Sequence, residues 1–442
     1  MASTVRYGQW VMMIRASAIS AMLIGLPLLA GCVAASPDAA LRPRGVTDVA
    51  TLAAPATDWP QAEWWRAYRD PQLDALITEA LVGSPDVAAA DARLHRAQAL
   101  AREYEAARLP SLNANASGGF NKQSYNNGIP PEFVPRGYND VGRAALDFSW
   151  ELDFWGKNRK AANAAGLDAR AVMADRAAAA VMLSTSVAAS YAQLAQLFAE
   201  RDVAVAAIAL REDSFKLVQQ RVIGGLDTRA EAKSAEAGVP AARGDLAATD
   251  EQIAITRNAL AALLGAGPDR GAAITPPQKA QLAAFGLPAT LAAELVGRKP
   301  EIVAARWRAE AAGQRIGVAR AQFYPNINLA AFIGVQSLGL SKLVSAGSNI
   351  GQVGPAISLP IFDGGRLKAN LRGAEADYAL AVAQYDGALT RALQDVADAA
   401  ASARALTGRV AEARAALAGE GEADKGARVR FTGGLANYQS AL

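Results

Sequence analysis

Leu146-Asp147-Phe148-Ser149-Trp150-Glu151-Leu152-Asp153-Phe154 is the stretch on which the reading of this 442-residue chain turns. Leu146, Phe148, Trp150, Leu152 and Phe154 share one parity; Asp147, Ser149, Glu151 and Asp153 share the other. Side chains of a strand alternate between faces, so this run predicts a strand with one apolar and one charged face. A half-buried strand of a soluble sandwich alternates too. Carboxylates over a water-filled lumen, backed by large apolar groups towards lipid, fit the pattern equally well. What flanks the strand separates the two readings.

Downstream, about 157–223 contains no proline, and about 365–432 repeats that feature. At 1.5 Å per residue each would form a rod of ~100 Å, beyond any compact domain. Met173, Ala180, Val187 and Leu194 recur every seven residues in the first rod, with Tyr191, Phe198 and Val205 as a second row. In the second rod Tyr378, Tyr385, Ala392 and Ala399 accompany Val382, Leu389, Val396 and Ala403. Two rows at this spacing predict coiled-coil seams. The composition agrees: 52% of residues are apolar but only 6% aromatic, the balance being mostly alanine, which suits close-packed helices.

The chain repeats itself. Ser84-Pro85-Asp86-Val87 returns as Lys299-Pro300-Glu301-Ile302, and Leu109-Pro110-Ser111-Leu112-Asn113 as Tyr324-Pro325-Asn326-Ile327-Asn328, both at an offset of 215. Phe154-Trp155-Gly156 pairs with Phe362-Asp363-Gly364 at 208, and Arg221 to Leu226 with Arg430 to Leu435 at 209. Matches in one order at nearly one offset indicate a tandem duplication. The resulting organisation is a leader at 1–31, an N-terminal segment at 32–71, a first repeat at 72–287 and a second at 288–442. Each repeat holds a helical stretch (about 72–107 and 288–322), two strands and a long helix. The first also has a return helix at about 227–265. The strands are expected at 111–120 and 144–154, then at 326–335 and 353–362. In the last strand the glycine match favours an offset of 208 and the face parity 207, leaving its register open.

Four strands cannot close a barrel, and open edges are not tolerated in lipid. Three copies would supply twelve strands, enough for an open passage where eight are filled by side chains. The fold class expected is an α+β membrane protein: four transmembrane strands plus long coiled-coil helices, a trimer closing a twelve-stranded barrel and a helical tunnel.

Other classes recede. A single cysteine, Cys32, excludes an internal disulfide framework, and a single histidine, His95, leaves no catalytic triad beyond itself. His95 reads as a surface residue of a helix. The net charge of +3 includes Arg6 and Arg15 of the leader, so the remainder carries about +1 (3 − 2), without a basic block for nucleic acid. No catalytic residue, metal site or cofactor is expected. Residues from about Ala16 to Ala30 form an apolar run short of the ~20 residues a spanning helix needs, and it ends in Leu29-Ala30-Gly31-Cys32.

That last motif resembles the lipobox of bacterial lipoproteins, which implies a diacylglycerol on Cys32. Together with Trp64-Trp65, Asp70-Pro71, Leu109-Pro110-Ser111-Leu112, Ser149 to Lys157, Leu359 to Gly365 and Gly434-Leu435-Ala436-Asn437-Tyr438, it makes the chain similar to TolC-like outer membrane factors of the lipoprotein branch. The resemblance implies a homotrimer anchored in the outer membrane with a long periplasmic portion. Its partners would be outer membrane lipid, a periplasmic adaptor and an inner membrane pump of the RND type. It implies lipid-facing Leu146, Phe148, Trp150, Leu152 and Phe154 and lumen-facing Asp147, Glu151 and Asp153. Periplasmic tip turns would form at Gly224, Gly225, Gly433 and Gly434, with an entrance constriction near Gln439 and Leu442. Only seven residues follow Leu435, where the family has a return helix, which reads as a fragment or a truncated form. The function implied is passive conduction of small molecules in tripartite efflux. A protein-exporting channel of the same build, or a coiled-coil lipoprotein without a barrel, are the alternatives. If Cys32 carries the lipid, labelled palmitate should mark the wild-type chain and be absent from Cys32→Ser; label on both would place any acylation elsewhere.

Overall fold

The computed structural model describes residues 61–278 and 297–433. A short 3-10 turn, Trp64–Tyr68, leads into helices α1 (Pro71–Gly83) and α2 (Pro85–Ala106). Each begins with proline at its first position, where no N–H is needed, and each is capped by the preceding side chain. Asp70 accepts from the amides of Gln72 and Leu73, and Ser84 from that of Asp86. The single helical stretch expected over 72–107 is therefore two helices, because Pro85 can start a helix but cannot sit within one without losing a hydrogen bond.

Strands β1 (Ser111–Asn121) and β2 (Asn139–Glu151) follow, then α3 (Lys157–Ile223), α4 (Arg229–Leu263) and the short α5 (Pro268–Ala272). The same order recurs as α6 (Pro300–Ala321), β3 (Asn326–Leu338), β4 (Asn349–Ser358) and α7 (Arg366–Thr432). Helices α3 and α7 hold 67 residues each, starting at 157 and 366. The offset there is 366 − 157 = 209, so the helix entry corrects the expected 208 by one. Gly156 corresponds to Gly365, and both take the left-handed conformation (φ 73° and 88°) that turns the chain into the helix.

The four strands form one antiparallel sheet in the order β1-β2-β3-β4. Its register aligns Leu112 with Phe148, Phe148 with Ala331 and Ala331 with Val353. Val353, Pro355 and Ile357 thus share the face of Leu146, Phe148 and Trp150, and the odd offset of 207 holds for β4. The two extra residues of the second copy lie in its strand-to-helix connection, 359–365 against 152–156. Strands β1 and β3 start where expected and run on to 121 and 338, whereas β2 and β4 differ at both ends. Strand β2 runs from 139 and stops at 151, and β4 runs from 349 and stops at 358. Leu152 still donates its amide to the Ile327 carbonyl at 2.8 Å, but Asp153 and Phe154 have left the sheet.

The main core lies midway along α3. Leu183, Val187, Tyr191, Leu194 and Leu197 pack against Leu73, Leu76, Ile77 and Trp65 on one side, and Ile253, Leu260 and Leu264 on the other. Val382, Tyr385, Leu389 and Ala392 are the buried row of α7, packed towards Ile302, Ala309 and Ala312 of α6. The seam rows hold in these central turns and fail at their ends. Met173 and Val205 are 55% and 45% exposed, and Ala400 rather than Ala399 is buried. A straight helix drifts by about 20° per heptad from a strict seven-residue repeat, so rows drawn from the sequence rotate off the contact line.

Tyr191 adds a polar joint to this core. Its hydroxyl donates to Asp70 at 2.8 Å and accepts from Gln72 at 3.0 Å, while Gln72 also binds the backbone of Thr275. Burial, reinforced by the Asp70 hydrogen bond, raises the Tyr191 pKa above that of a free phenol. A raised folded-state pKa means the contribution is fully present below about pH 10 and is lost as pH rises through the folded value. Tyr191→Phe should cost about 1 kcal/mol at neutral pH, by leaving the buried Asp70 carboxylate one donor short. It should also flatten the fall in denaturation midpoint above pH 10; an unchanged alkaline fall would assign that loss to other groups.

Candidate functional site

Two regions have the chemistry of a conduit: the sheet and the turns at the far ends of the long helices. Across the sheet, the register places Asn113, Asn115 and Ser117 of β1 on the same face as Arg143, Asp147, Ser149 and Glu151 of β2. Asn328, Gln336 and Gln352 continue that face across β3 and β4. Asn115 donates to Asp147 at 2.8 Å, Ser149 and Asn328 are hydrogen-bonded, and Lys157 reaches Glu151 at 2.6 Å. The guanidinium of Arg143 lies 5.2 Å above the Phe332 ring on this face, and Val141, Leu338 and Ile350 occupy its end away from the helices.

The opposite face carries Leu112, Leu146, Phe148, Trp150, Ile327, Leu329, Ile333, Val335, Val353 and Ile357; its one charge, Asp140, sits at the start of β2 and accepts from the Leu340 amide. Among the described residues this face is covered only at one end, where Leu340 and Leu343 lie over Gly142. Ile333 is 69% and Val353 74% exposed. Of the expected apolar row, Leu146, Phe148 and Trp150 lie on the face, Leu152 sits one residue past the strand end, and Phe154 is in the turn beyond. Of the acidic row, Asp147 and Glu151 are on the polar face. Asp153 is not: its carboxylate accepts from the amides of Asn158 and Arg159 at 3.2 and 2.7 Å and caps α3. The unpaired amides of a helix start bind a carboxylate more favourably than open solvent does, so Asp153 leaves the strand. Asp363 makes the same cap on α7, through the amides of Gly365 and Leu367.

Arg143 and the asparagines of β1 escaped the sequence reading. Extending the parity of Asp147 back four residues would have reached Arg143. The β1 asparagines are polar without being charged, so they leave no charge pattern to find.

At the far end, α3 closes with Gly224 and Gly225. Gly224 has helical backbone (φ −76°) and only Gly225 is left-handed (φ 72°). Gly433 likewise ends α7 with φ −75°. Of the tip glycines among the described residues, Gly225 alone takes a positive φ. Gly434, Gln439 and Leu442, together with Cys32, lie outside those residues. Thr228 and Glu231 then start α4 with a reciprocal capping box.

Arg221, unremarked as a site in the sequence, ties this turn to the end of α7. It grips Asp227 with two nitrogens at 2.8 and 3.2 Å, donates to the Phe431 carbonyl at 3.1 Å and lies 4.6 Å over the Phe431 ring. The Asp227 hydrogen bond raises the Arg221 pKa, so this charge is permanent. The recurrence of arginine at 221 and 430 was the available signal.

His95 is exposed on α2. Among the described residues no group of three or more His, Cys, Asp or Glu side chains converges as a metal site.

This geometry agrees with the comparisons. Residues 76–266 and 291–442 match the family described as outer membrane efflux protein, and the chain belongs to that family. The fusaric acid resistance protein FusA of Burkholderia cepacia is 38% identical over 72% of this chain; the chain spans 60% of that relative's length. The multidrug resistance outer membrane protein MdtP of Escherichia coli O157:H7 is 34% identical, over 84% of this chain and 78% of its own. The crystal structure of the outer membrane protein VceC from Vibrio cholerae superposes with a TM-score of 0.81 at 42% identity, over 87% of this chain and 91% of that one. The fold is that of the outer membrane channels, and the protein is an outer membrane channel component of a tripartite efflux system.

Asp153→Ala should remove the α3 cap and lower stability by about 1 kcal/mol. Thermal melting of the detergent-solubilised protein reads this; a midpoint equal to wild type would mean the cap is replaced by water.

Proposed function

We propose that three copies of this chain join their sheets edge to edge into a twelve-stranded barrel, with Leu146, Phe148 and Trp150 against lipid and Asp147 and Glu151 lining the lumen. The observation that carries this is the sheet itself: sorted by register into a largely polar and a largely apolar face, the apolar one open over most of its extent among the described residues. An uncovered apolar face of this extent is costly in water and favourable in a bilayer. The free edges of β1 and β4 require partners there, since a lipid-exposed strand edge leaves amides and carbonyls unpaired.

Helices α3 and α7, each ~100 Å long, continue the barrel as a tunnel on the periplasmic side. The chain performs no chemistry and needs no cofactor. A periplasmic adaptor and an inner membrane pump of the RND type drive small molecules into it, the adaptor meeting the turns at Gly224, Gly225 and Gly433. The names of the relatives, resistance to fusaric acid and to multiple drugs, support small molecules over secreted proteins as cargo. A lipid on Cys32 adds a tether at ~0.8 kcal/mol per buried CH₂.

Light scattering of the full chain extracted in mild detergent should return the mass of three copies, and the same sample should conduct in planar bilayers. A monomer without conductance would leave a periplasmic coiled-coil lipoprotein as the reading. The contact of Arg221 with Phe431 holds the ends of α3 and α7 together, so Arg221→Gln should raise the open fraction. A charge-assisted hydrogen bond is worth about 1.5–3 kcal/mol, which is tenfold or more in that ratio. Unchanged conductance would assign closure to another contact.

A further inference from the structure

Where the apolar face of the sheet ends, the end of α2 and the start of α3 enclose a cleft of about 740 Å³. Its walls are of two kinds. Leu109, Trp150 and Phe154 line it on the side of the sheet; Arg102, Arg108 and Arg159 line it on the side of the helices. All three arginines are exposed, as are Leu109 and Phe154 at 66% each. The indole of Trp150 donates to the Arg108 carbonyl at 3.1 Å, fixing the ring at the boundary between the two kinds of wall.

The carboxylates of the cleft are already engaged. Glu105 pairs with Arg108 at 2.7 Å, Glu151 with Lys157 at 2.6 Å, and both oxygens of Asp153 accept helix amides. Among the described residues Arg102 and Arg159 have no acidic partner, so two guanidinium groups face an open cleft beside an apolar surface.

We propose that this cleft binds the phosphate headgroup of a phospholipid, with Arg102 and Arg159 as its ligands, Arg108 as a third donor and the acyl chains running up the Leu109, Trp150 and Phe154 side. Guanidinium groups bind phosphate oxygens in pairs with matched geometry. Tryptophan at the edge of an apolar band marks the level of the headgroups, and basic pockets at that level bind anionic lipid heads. The volume is that of a small-molecule site. Continuity with the uncovered sheet face selects a lipid over a free anion, because one amphiphile satisfies both walls. The site would fix the depth of the barrel and hold the junction between strand and helix against the pull of the periplasmic tunnel. It rests on the reading of the sheet as membrane-spanning.

Native mass spectrometry of the detergent-solubilised full chain, titrated with phosphatidylglycerol, tests this. Arg102→Gln/Arg159→Gln should weaken binding about tenfold or more, whereas Arg93→Gln/Arg96→Gln, an equal charge loss elsewhere on α2, should leave it unchanged. Diacylglycerol with the same acyl chains should bind neither variant nor wild type at that affinity. Equal affinities for the two double variants would overturn the site. So would displacement of the lipid by inorganic phosphate, which would make the cleft a free-anion site. Bilayer conductance of the same preparations keeps the two readings apart: channels that conduct but bind lipid without regard to Arg102 and Arg159 refute only the cleft, while a wild-type chain that does not conduct refutes the channel.

Discussion

The hydrogen-bonding groups along the outer edges of β1 and β4 are the constraint from which the remaining architecture follows. A sheet of four strands leaves two such edges, and hydrocarbon offers them no partner. The molecule can neither bury this sheet against its own helices, which diverge from it at Gly156 and Gly365, nor leave it as a lone layer in lipid. Closure with further copies is the solution that pairs every strand. Both faces of the sheet are consistent with that outcome, one being largely polar and hydrogen-bonded, the other largely apolar and open over most of its extent.

The transition from strand to helix is where this constraint meets a second one. A 67-residue helix begins with amides that have no internal acceptor, and each copy solves the problem with an aspartate and a left-handed glycine. Asp153 and Asp363 therefore act in helix starts, at the cost of shortening the strands before them. Trp155 stacks on Tyr324 at 4.6 Å and donates to the Pro325 carbonyl, so the first copy's junction is stapled to the second copy's helix-to-strand turn. Ion pairs of Arg308 with Asp175 and Arg315 with Asp168 join α6 to α3 immediately below. Partly exposed pairs of this kind contribute modestly to stability; their role here is to fix how the two copies stand side by side.

Much of this was legible from residue order alone. Periodicity of two and of seven, the absence of proline over two 67-residue spans and a repeated set of motifs determined the strands, the rods and the duplication, because each is a property of local backbone geometry. The same information determined which residues of β2 share a face. Tertiary structure decided what local geometry leaves open. It set the parity of β4 through pairing with β3, since only a neighbouring strand defines a register. It moved Asp153 from a strand face to a helix cap, because the amides of Asn158 and Arg159 compete for its carboxylate once the chain turns. It brought Arg221 onto Phe431, 210 residues away, and Arg102 and Arg159 to one cleft, through the side-by-side packing of helices that no spacing along the chain encodes.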